Sequence, residues 1–396
     1  DTVSEKVNAL FCDAEGDGDI DHYVVSSDNE YTDQSAGFTD HLYLNDGKGN
    51  FVLAPEGTLP PMPSSKFAIA AGDFDHDGRI DLFIGGRGVP GSFPQPSRSY
   101  LLHNESLNGK VRFTDVTDAV CPALRLPGMV TAAVWSVVDR GPGGPGGKAA
   151  DGYPDLLIAG DWMPVMLFHN DKGMLTDVSA AAGLRGLEGM WSSITPADVD
   201  GDGRVDFILG NCGLNNQFKA SPSQPMSLYV ADFDGNGSLD PILCYYIEGK
   251  SYPMASRDEL LDQIVSLRKK FNSYKAYADA TITDIFPPEK VAAAKVLHCS
   301  QLASGILYNK GGGRFEFKPL PLAAQFSKVF GAVVDDFDGD GVKDLLVSGN
   351  FFPYRTQLGR CDASLGMLLR GPDWRPVDPA VSGCYIGGDV RGMVEV

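Results

Sequence analysis

The chain has 396 residues, 43% of them hydrophobic and 21% charged, enough to bury a large core and too apolar for a disordered polypeptide. With 33 Lys and Arg against 52 Asp and Glu the formal net charge is -19, which opposes nucleic acid and anionic lipid surfaces as partners. No apolar run is long enough to span a bilayer, and the seven cysteines, scattered and never in CxxC spacing, read as small buried thiols rather than a disulfide framework or zinc site.

In chain order, one acidic phrase recurs. It begins as Asp13-Ala-Glu15-Gly-Asp17-Gly18-Asp-Ile20-Asp21 and returns with Asp73, Asp75, Asp77 and Asp81, then with Asp198, Asp200, Asp202 and Asp206. Further copies carry Asp232, Asp234, Asn236 and Asp240, and Asp336, Asp338, Asp340 and Asp344. A sixth copy reads as split: Asp139 takes position 1, a Gly/Pro-rich stretch from Arg140 to Ala150 interrupts, and Asp151 and Asp155 resume at positions 5 and 9.

Short apolar runs such as Leu82-Phe83-Ile84 and Leu345-Leu346-Val347 follow the phrases, too short for helices and consistent with buried strands. Downstream lies a second phrase, an apolar strand and an Asn/Gly-rich turn, as in Leu42 to Phe51, Leu167 to Gly173 and Ile306 to Phe315, which reads as a hairpin. One period is therefore a four-stranded antiparallel unit. Such units cannot cover their own faces and close into rings, so the expected architecture is an all-β, seven-bladed β-propeller occupying residues 1–396 as one domain.

Two places depart from the period. The spacing from Asp198 to Asp232 is short and that from Asp232 to Asp336 long, which puts Asp232 in the second half of a blade or at the start of one interrupted by an insertion. From Ser256, in capping-box spacing with Glu259, Leu260, Ile264, Leu267 and Phe271 recur at helical intervals, and a second helix is expected after Pro288, giving a helical insertion over 256–298 that packs against the propeller. Gly383 to Val396 reads as the first strands of a further blade, with Asp389-Val-Arg391 in place of the acidic loop.

Carboxylates at positions 1, 3, 5 and 9, with a Gly at 6 for the sharp turn, set hard oxygens around one small sphere, which is calcium chemistry. An EF-hand is excluded, because position 12 is Val24, Ile84, Leu209, Leu243 or Val347 where a bidentate Glu is required. The expected ligands are the side chains at 1, 3, 5 and 9 with the position-7 carbonyl, for five to six structural Ca²⁺ ions. For a dissociation constant of ~10 µM in ~1 mM calcium, each site stabilises the fold by about 2.7 kcal/mol. Weak, numerous sites of this kind fill where calcium is millimolar, so the expected location is extracytoplasmic.

The loops followed by Leu82-Phe-Ile-Gly-Gly-Arg87 resemble the FG-GAP/VCBS repeats of integrin α-subunit propellers. With Gly210-Asn-Cys-Gly-Leu-Asn215, Arg257-Asp-Glu-Leu260, Gly349-Asn350 and Gly388-Asp-Val-Arg391, the order of phrases resembles the secreted bacterial VCBS and ASPIC/UnbV-type proteins related to cartilage acidic protein. The resemblance implies the propeller fold and assigns no reaction. Such proteins carry a further acidic repeat upstream and a region downstream, and this chain opens at Asp1 without Met, so a larger polypeptide is the expectation.

No HExxH, GxSxG or Walker phrase is present, and the chain is read as a non-enzymatic adhesion or binding module for protein or glycan, with a carbohydrate-active enzyme as the alternative. His103 and His169, just before or within the hairpin turns, are assigned turn or core roles, and Trp135 and Trp191 core packing. Trp162, at a strand end, and Asn215 and Asn216, in an Asn-rich loop, are the candidate ligand contacts.

Overall fold

The computed structural model describes residues 5–27, 36–139, 151–353 and 359–394; the Arg140 to Ala150 interruption lies outside them. The first sheet is β1 (Lys6–Cys12), β2 (Asp21–Ser26), β3 (His41–Asn45) and β4 (Phe51–Leu53), each antiparallel to its neighbour. The second repeats that meander with β5 (Lys66–Gly72), β6 (Asp81–Gly86), β7 (Tyr100–Asn104) and β8 (Phe113–Asp115). In the third, β9 (Met129–Ser136), β10 (Asp155–Met163), β11 (Met166–Asp171) and β12 (Met174–Asp177) are joined by β13 (Gly189–Met190), which pairs with the far end of β10.

The fourth sheet opens with β14 (Ser193–Ala197) and β15 (Asp206–Gly210), and there the chain leaves it. It builds a separate sheet from β16 (Met226–Ala231), β17 (Asp240–Ile247), β18 (Lys250–Pro253) and β19 (Lys295–Cys299), in the order β18-β17-β16-β19. It then returns as β20 (Gly305–Asn309) and β21 (Phe315–Pro319) to complete β14-β15-β20-β21. The last sheet is β22 (Val329–Asp335), β23 (Asp344–Gly349), β24 (Met367–Arg370) and β25 (Arg375–Val377).

The first strands β1, β5, β9, β14 and β22 pack side by side, the blade arrangement of a β-propeller. Second strands are the most enclosed: every residue of β6, β10 and β15 is buried, because apolar side chains on both faces meet the adjoining sheets. Separate apolar clusters fill each gap between successive blades, including Leu82 with Tyr23, Phe83 with Phe168, Leu157 with Phe207, and Ile208 with Leu345. Fully burying one such side chain contributes about 1.5–3 kcal/mol, so each gap holds its two sheets firmly. Trp191 is fully buried with its indole N–H on the Leu187 carbonyl at 2.9 Å, and Trp135 stacks on Phe74, as core packing requires.

Three expectations change. The described residues form six sheets rather than seven, and only five follow one another as blades. The Asp232 phrase opens the sheet inserted between β15 and β20, which accounts for the irregular spacing around it. Described residues from Gly383 onward form no strand; the Val390 N–H donates to the Gly349 carbonyl at 3.3 Å and Met393 covers Gly331, so this segment lies along the last blade.

The helical insertion forms with the expected capping box, Ser256 and Glu259 exchanging hydrogen bonds across the first turn of helix Arg257–Gln263. Helix Pro288–Ala293 ends it, and Lys295–Cys299 is strand β19 rather than the helical tail expected to 298. Leu260, Ile264, Leu267 and Phe271 bury against Phe233, Ile242 and Cys244, so the insertion is the cover of the inserted sheet. All seven thiols are free, and Cys12, Cys121, Cys244 and Cys299 are buried.

Candidate metal centres

Each acidic phrase links the first two strands of a blade or the β16–β17 pair of the inserted sheet, and all five unbroken copies share one hydrogen-bond frame. The position-1 aspartates Asp13, Asp73, Asp198, Asp232 and Asp336 accept the N–H groups that follow them in the turn, at 2.7–3.2 Å. The glycine at position 6 makes that turn possible: Gly18, Gly78, Gly203, Gly237 and Gly341 have φ of +92°, +86°, +83°, +88° and +85°, where a side chain is disfavoured. At position 5, Asp17, Asp77, Asp202, Asn236 and Asp340 accept the position-7 N–H at 2.7–2.9 Å.

The position-9 aspartates are buried and do a second job. One oxygen accepts the position-2 N–H, as from Ala14 to Asp21 at 2.8 Å. In the blades the other accepts a backbone N–H from the third-strand turn: Asn45 to Asp21, Asn104 to Asp81, Asn170 to Asp155, Asn309 to Asp206 and Gly371 to Asp344, at 2.7–3.0 Å. In the inserted sheet no such turn is available, and the Gln263 side-chain amide donates to Asp240 at 2.8 Å instead.

Four of the loops bring carboxylates together closely enough for one ion. In Asp73/Asp75/Asp81, Asp198/Asp200/Asp206, Asp232/Asp234/Asp240 and Asp336/Asp338/Asp344, one oxygen from each residue lies within 4.8 Å of the others. Oxygens around Ca²⁺ sit at about 2.3–2.6 Å, so ligands on one sphere are separated by at most twice that, and the groups fit. Burial pushes Asp81 up to about 7 and Asp206 up to about 6, against the backbone N–H bonds that oppose it. The neighbouring carboxylates add to that rise, the strain a divalent cation would relieve.

The first loop keeps the frame but differs in detail. Glu15 reaches Asp17, and burial together with that contact raises its carboxyl to about 7. Asp13, Glu15, Asp17 and Asp21 do not form such a close group among the described residues.

The split copy has a different register from the one expected. Ser136 pairs with Asp155 as Gly72 pairs with Asp81, and the Val138 N–H reaches Asp155 as the Phe74 N–H reaches Asp81. Val137 therefore occupies position 1 and Asp139 position 3, and the Asp151 N–H donates to Asp139 at 2.8 Å, the position-5 to position-3 bond seen elsewhere. An apolar residue replaces the carboxylate that organises every other turn, and Asp139, Asp151 and Asp155 form no close trio.

Residues assigned to turns or core reach the loops as well. His103 Nε2 lies 3.0 Å from Asp75 and 3.2 Å from Asp77, and His169 Nδ1 lies 2.8 Å from Asp155, whose bond raises the imidazole above its ordinary value. Arg79 pairs with Asp77, Arg204 with Asp202, and Arg370 with Asp338 at 2.6 Å, each offsetting one negative charge at a loop rim. His103 and His169 stand one residue before the turn Asn of the hairpin phrase, and that shared place was the available signal.

At the other ends of the strands lie two adjoining cavities. One, of about 240 Å³, is lined by Asn215 and Asn216 among others; the second, of about 420 Å³, is apolar and lined by Trp162, Asn216, Phe218 and Met226. Trp162 is 8% exposed with φ of +58°, so it forms a wall rather than an open platform.

Comparison with known proteins bears on the loops directly. The FG-GAP-like repeat family matches residues 13–84 and 150–209. Human cartilage acidic protein 1 is 22% identical over 374 residues, covering 88% of this chain and 48% of that protein, and the mouse protein is likewise 22% identical with 49% covered. The chain thus spans about half the length of the curated relatives it matches. Among solved structures, the Bacillus licheniformis rhamnogalacturonan lyase PL11 aligns at a TM-score of 0.36 with 12% identity, covering 91% of this chain and 58% of that one. The V. cholerae biofilm matrix protein Bap1 aligns at 0.31 with 10% identity, covering 97% and 70%. Recurring acidic turns and strands they join lie within the matched segments, so residues 13–84 and 150–209 carry FG-GAP-like repeats.

Proposed function

We propose that the protein is a calcium-stabilised binding or adhesion module that works outside the cytosol and takes a protein or glycan ligand on the face opposite its acidic loops. The observation that carries this reading is the frame common to the loops: in four of them three carboxylates converge within 4.8 Å, where a hard cation would relieve their repulsion. The loops brace strand ends, their most buried carboxylates being engaged by backbone N–H groups, which supports a structural role for them. Ligand contact is assigned to the opposite ends, where amides and aromatic rings line a cavity. No helix among the described residues is long and apolar enough to cross a membrane.

The test is a melting curve of the intact chain with and without chelator, followed by a glycan array in both conditions. The expected result is a melting temperature lower by more than about ten degrees in chelator, as several sites of the estimated strength require, and glycan binding that calcium sustains. An unchanged melting curve would contradict the structural role of the metal. Turnover of an arrayed polysaccharide would replace the binding reading with the enzymatic one.

A further inference from the structure

The smaller cavity gathers positive charge beside amides and aromatic rings. In a chain of net charge -19, it is lined by Lys328 and Arg360, neither of which has an ion-pair partner among the described residues. Asp362 is the one acidic side chain on its lining. The Lys328 ammonium lies 5.5 Å from the Phe351 ring centre, and the Arg391 guanidinium, itself paired with Asp389 at 2.8 Å, lies 4.8 Å from it. Asn215, Asn216 and Gln217 supply amides on the same lining, groups that both donate and accept hydrogen bonds.

We propose that this cavity binds a single anionic sugar ring, a saccharide unit bearing a carboxylate or a sulfate, with Lys328 and Arg360 meeting the charge and the three amides the hydroxyl groups. The inference rests on the binding-module reading and narrows it to one ligand class. The rings of Phe326 and Phe351 give the lining apolar surface suited to the C–H groups of a pyranose, while the amides suit its hydroxyl groups. The volume, about 240 Å³, lies just below the range typical of drug-sized ligands and suits one ring.

The site is also built in advance. Asn216 donates to the Gly213 carbonyl at 2.9 Å and accepts the Phe218 N–H at 2.9 Å, fixing its own loop. That loop hangs from Gln325, whose carbonyl accepts the N–H groups of Leu214 and Asn215. Gln325 is itself fully buried and held by Ser304 and Leu320 through three hydrogen bonds of 2.8–3.0 Å. A wall with so little freedom to lose gains affinity through preorganisation.

The experiment is titration calorimetry of the full chain in calcium with four probes: an oligogalacturonate, a sulfated galactan oligosaccharide, an uncharged galacto-oligosaccharide of equal length, and a poly-glutamate peptide. The expected result is binding of the carboxylated or the sulfated sugar, the two arms telling which anion is recognised. Affinity should fall at least about tenfold in Lys328→Ala and Arg360→Ala and weaken as salt rises. Arg360→Ala should keep the wild-type melting temperature, since that side chain is exposed, while Lys328→Ala also removes a charge that helps hold Asp161 ionised and should lower it, so its affinity is read below its own melting transition. Equal affinity for the uncharged sugar, anionic binding indifferent to both substitutions, or binding of the peptide alone would overturn the proposal and leave the module reading standing. Binding of none of the four, with an empty glycan array, would overturn the glycan reading with it.

Discussion

The Asn170 side-chain amide donates to the Phe74 carbonyl at 2.7 Å, joining the hairpin turn of the third blade to the acidic loop of the second. Asn104 makes the same bond to Ala14 and Asn309 to Val138, both at 2.9 Å, so each tie runs to the preceding blade's loop. All three asparagines are buried, and each also accepts a backbone N–H within its own turn.

Replacing Asn170 with Ala therefore leaves the Phe74 and Pro154 carbonyls without this donor in a closed environment. The expected loss is about 1–3 kcal/mol, read as a lower midpoint in chemical denaturation. Asn45, whose side chain donates only to Ile20 within the first blade, should cost less when replaced in the same way.

The corrected register of the split loop separates two variants that the bare sequence treats alike. Asp198→Ala removes an organising position-1 carboxylate and should lower the number of calcium ions retained after dialysis, measured by atomic emission, by one. Asp139→Ala should leave that number unchanged, because Val137 already occupies position 1 there. Loss of an ion from the Asp139 variant would restore the split loop as a site.

Lys66 is fully buried between the first two blades. Its ammonium donates to the carbonyls of Phe38, Met62 and Ser64 at 2.7–2.9 Å and lies 3.5 Å from Asp40. Lys66→Met strands the Asp40 carboxylate without its cation and should destabilise by about 3–5 kcal/mol. Adding Asp40→Asn should recover part of that loss, and a double-mutant cycle in denaturant measures how much.

Asp161 supplies a pH dependence. Burial raises its pKa, but the Arg87 guanidinium at 2.5 Å and the nearby Lys328 outweigh it and hold the carboxyl below its ordinary value. The unfolded chain then binds the proton more readily than the folded one, so the pair's stabilisation is present above about pH 4 and is lost as pH falls through the folded value. The melting-temperature difference between the wild type and Asp161→Asn should be largest near pH 7 and shrink toward about pH 3. A difference that stayed constant across that range would show that the pair contributes nothing through its charge.

Much of the architecture is legible because its signals are local. Position 6 needs glycine, strands such as Leu82-Phe83-Ile84 need unbroken apolar runs, and the Ser256–Glu259 box marks a helix start. What escapes is relational. Asp139 looks like position 1 since it precedes a break, and only its pairing across β9 and β10 reveals the two-residue shift. Gln263 substitutes for a turn backbone distant in sequence, and Asn104, Asn170 and Asn309 read as turn residues until their partners in another blade are seen.

The inserted sheet departs after β15 and its chain returns at β20, two strands that are themselves hydrogen-bonded partners, with Leu209 opposite Gly305. Exit and re-entry are thus neighbours in space. An excursion tethered at one doorway can be shortened, enlarged or exchanged without altering how the host strands align, which makes this doorway the place where the scaffold can acquire or shed a companion unit while its row of blades stays as it is.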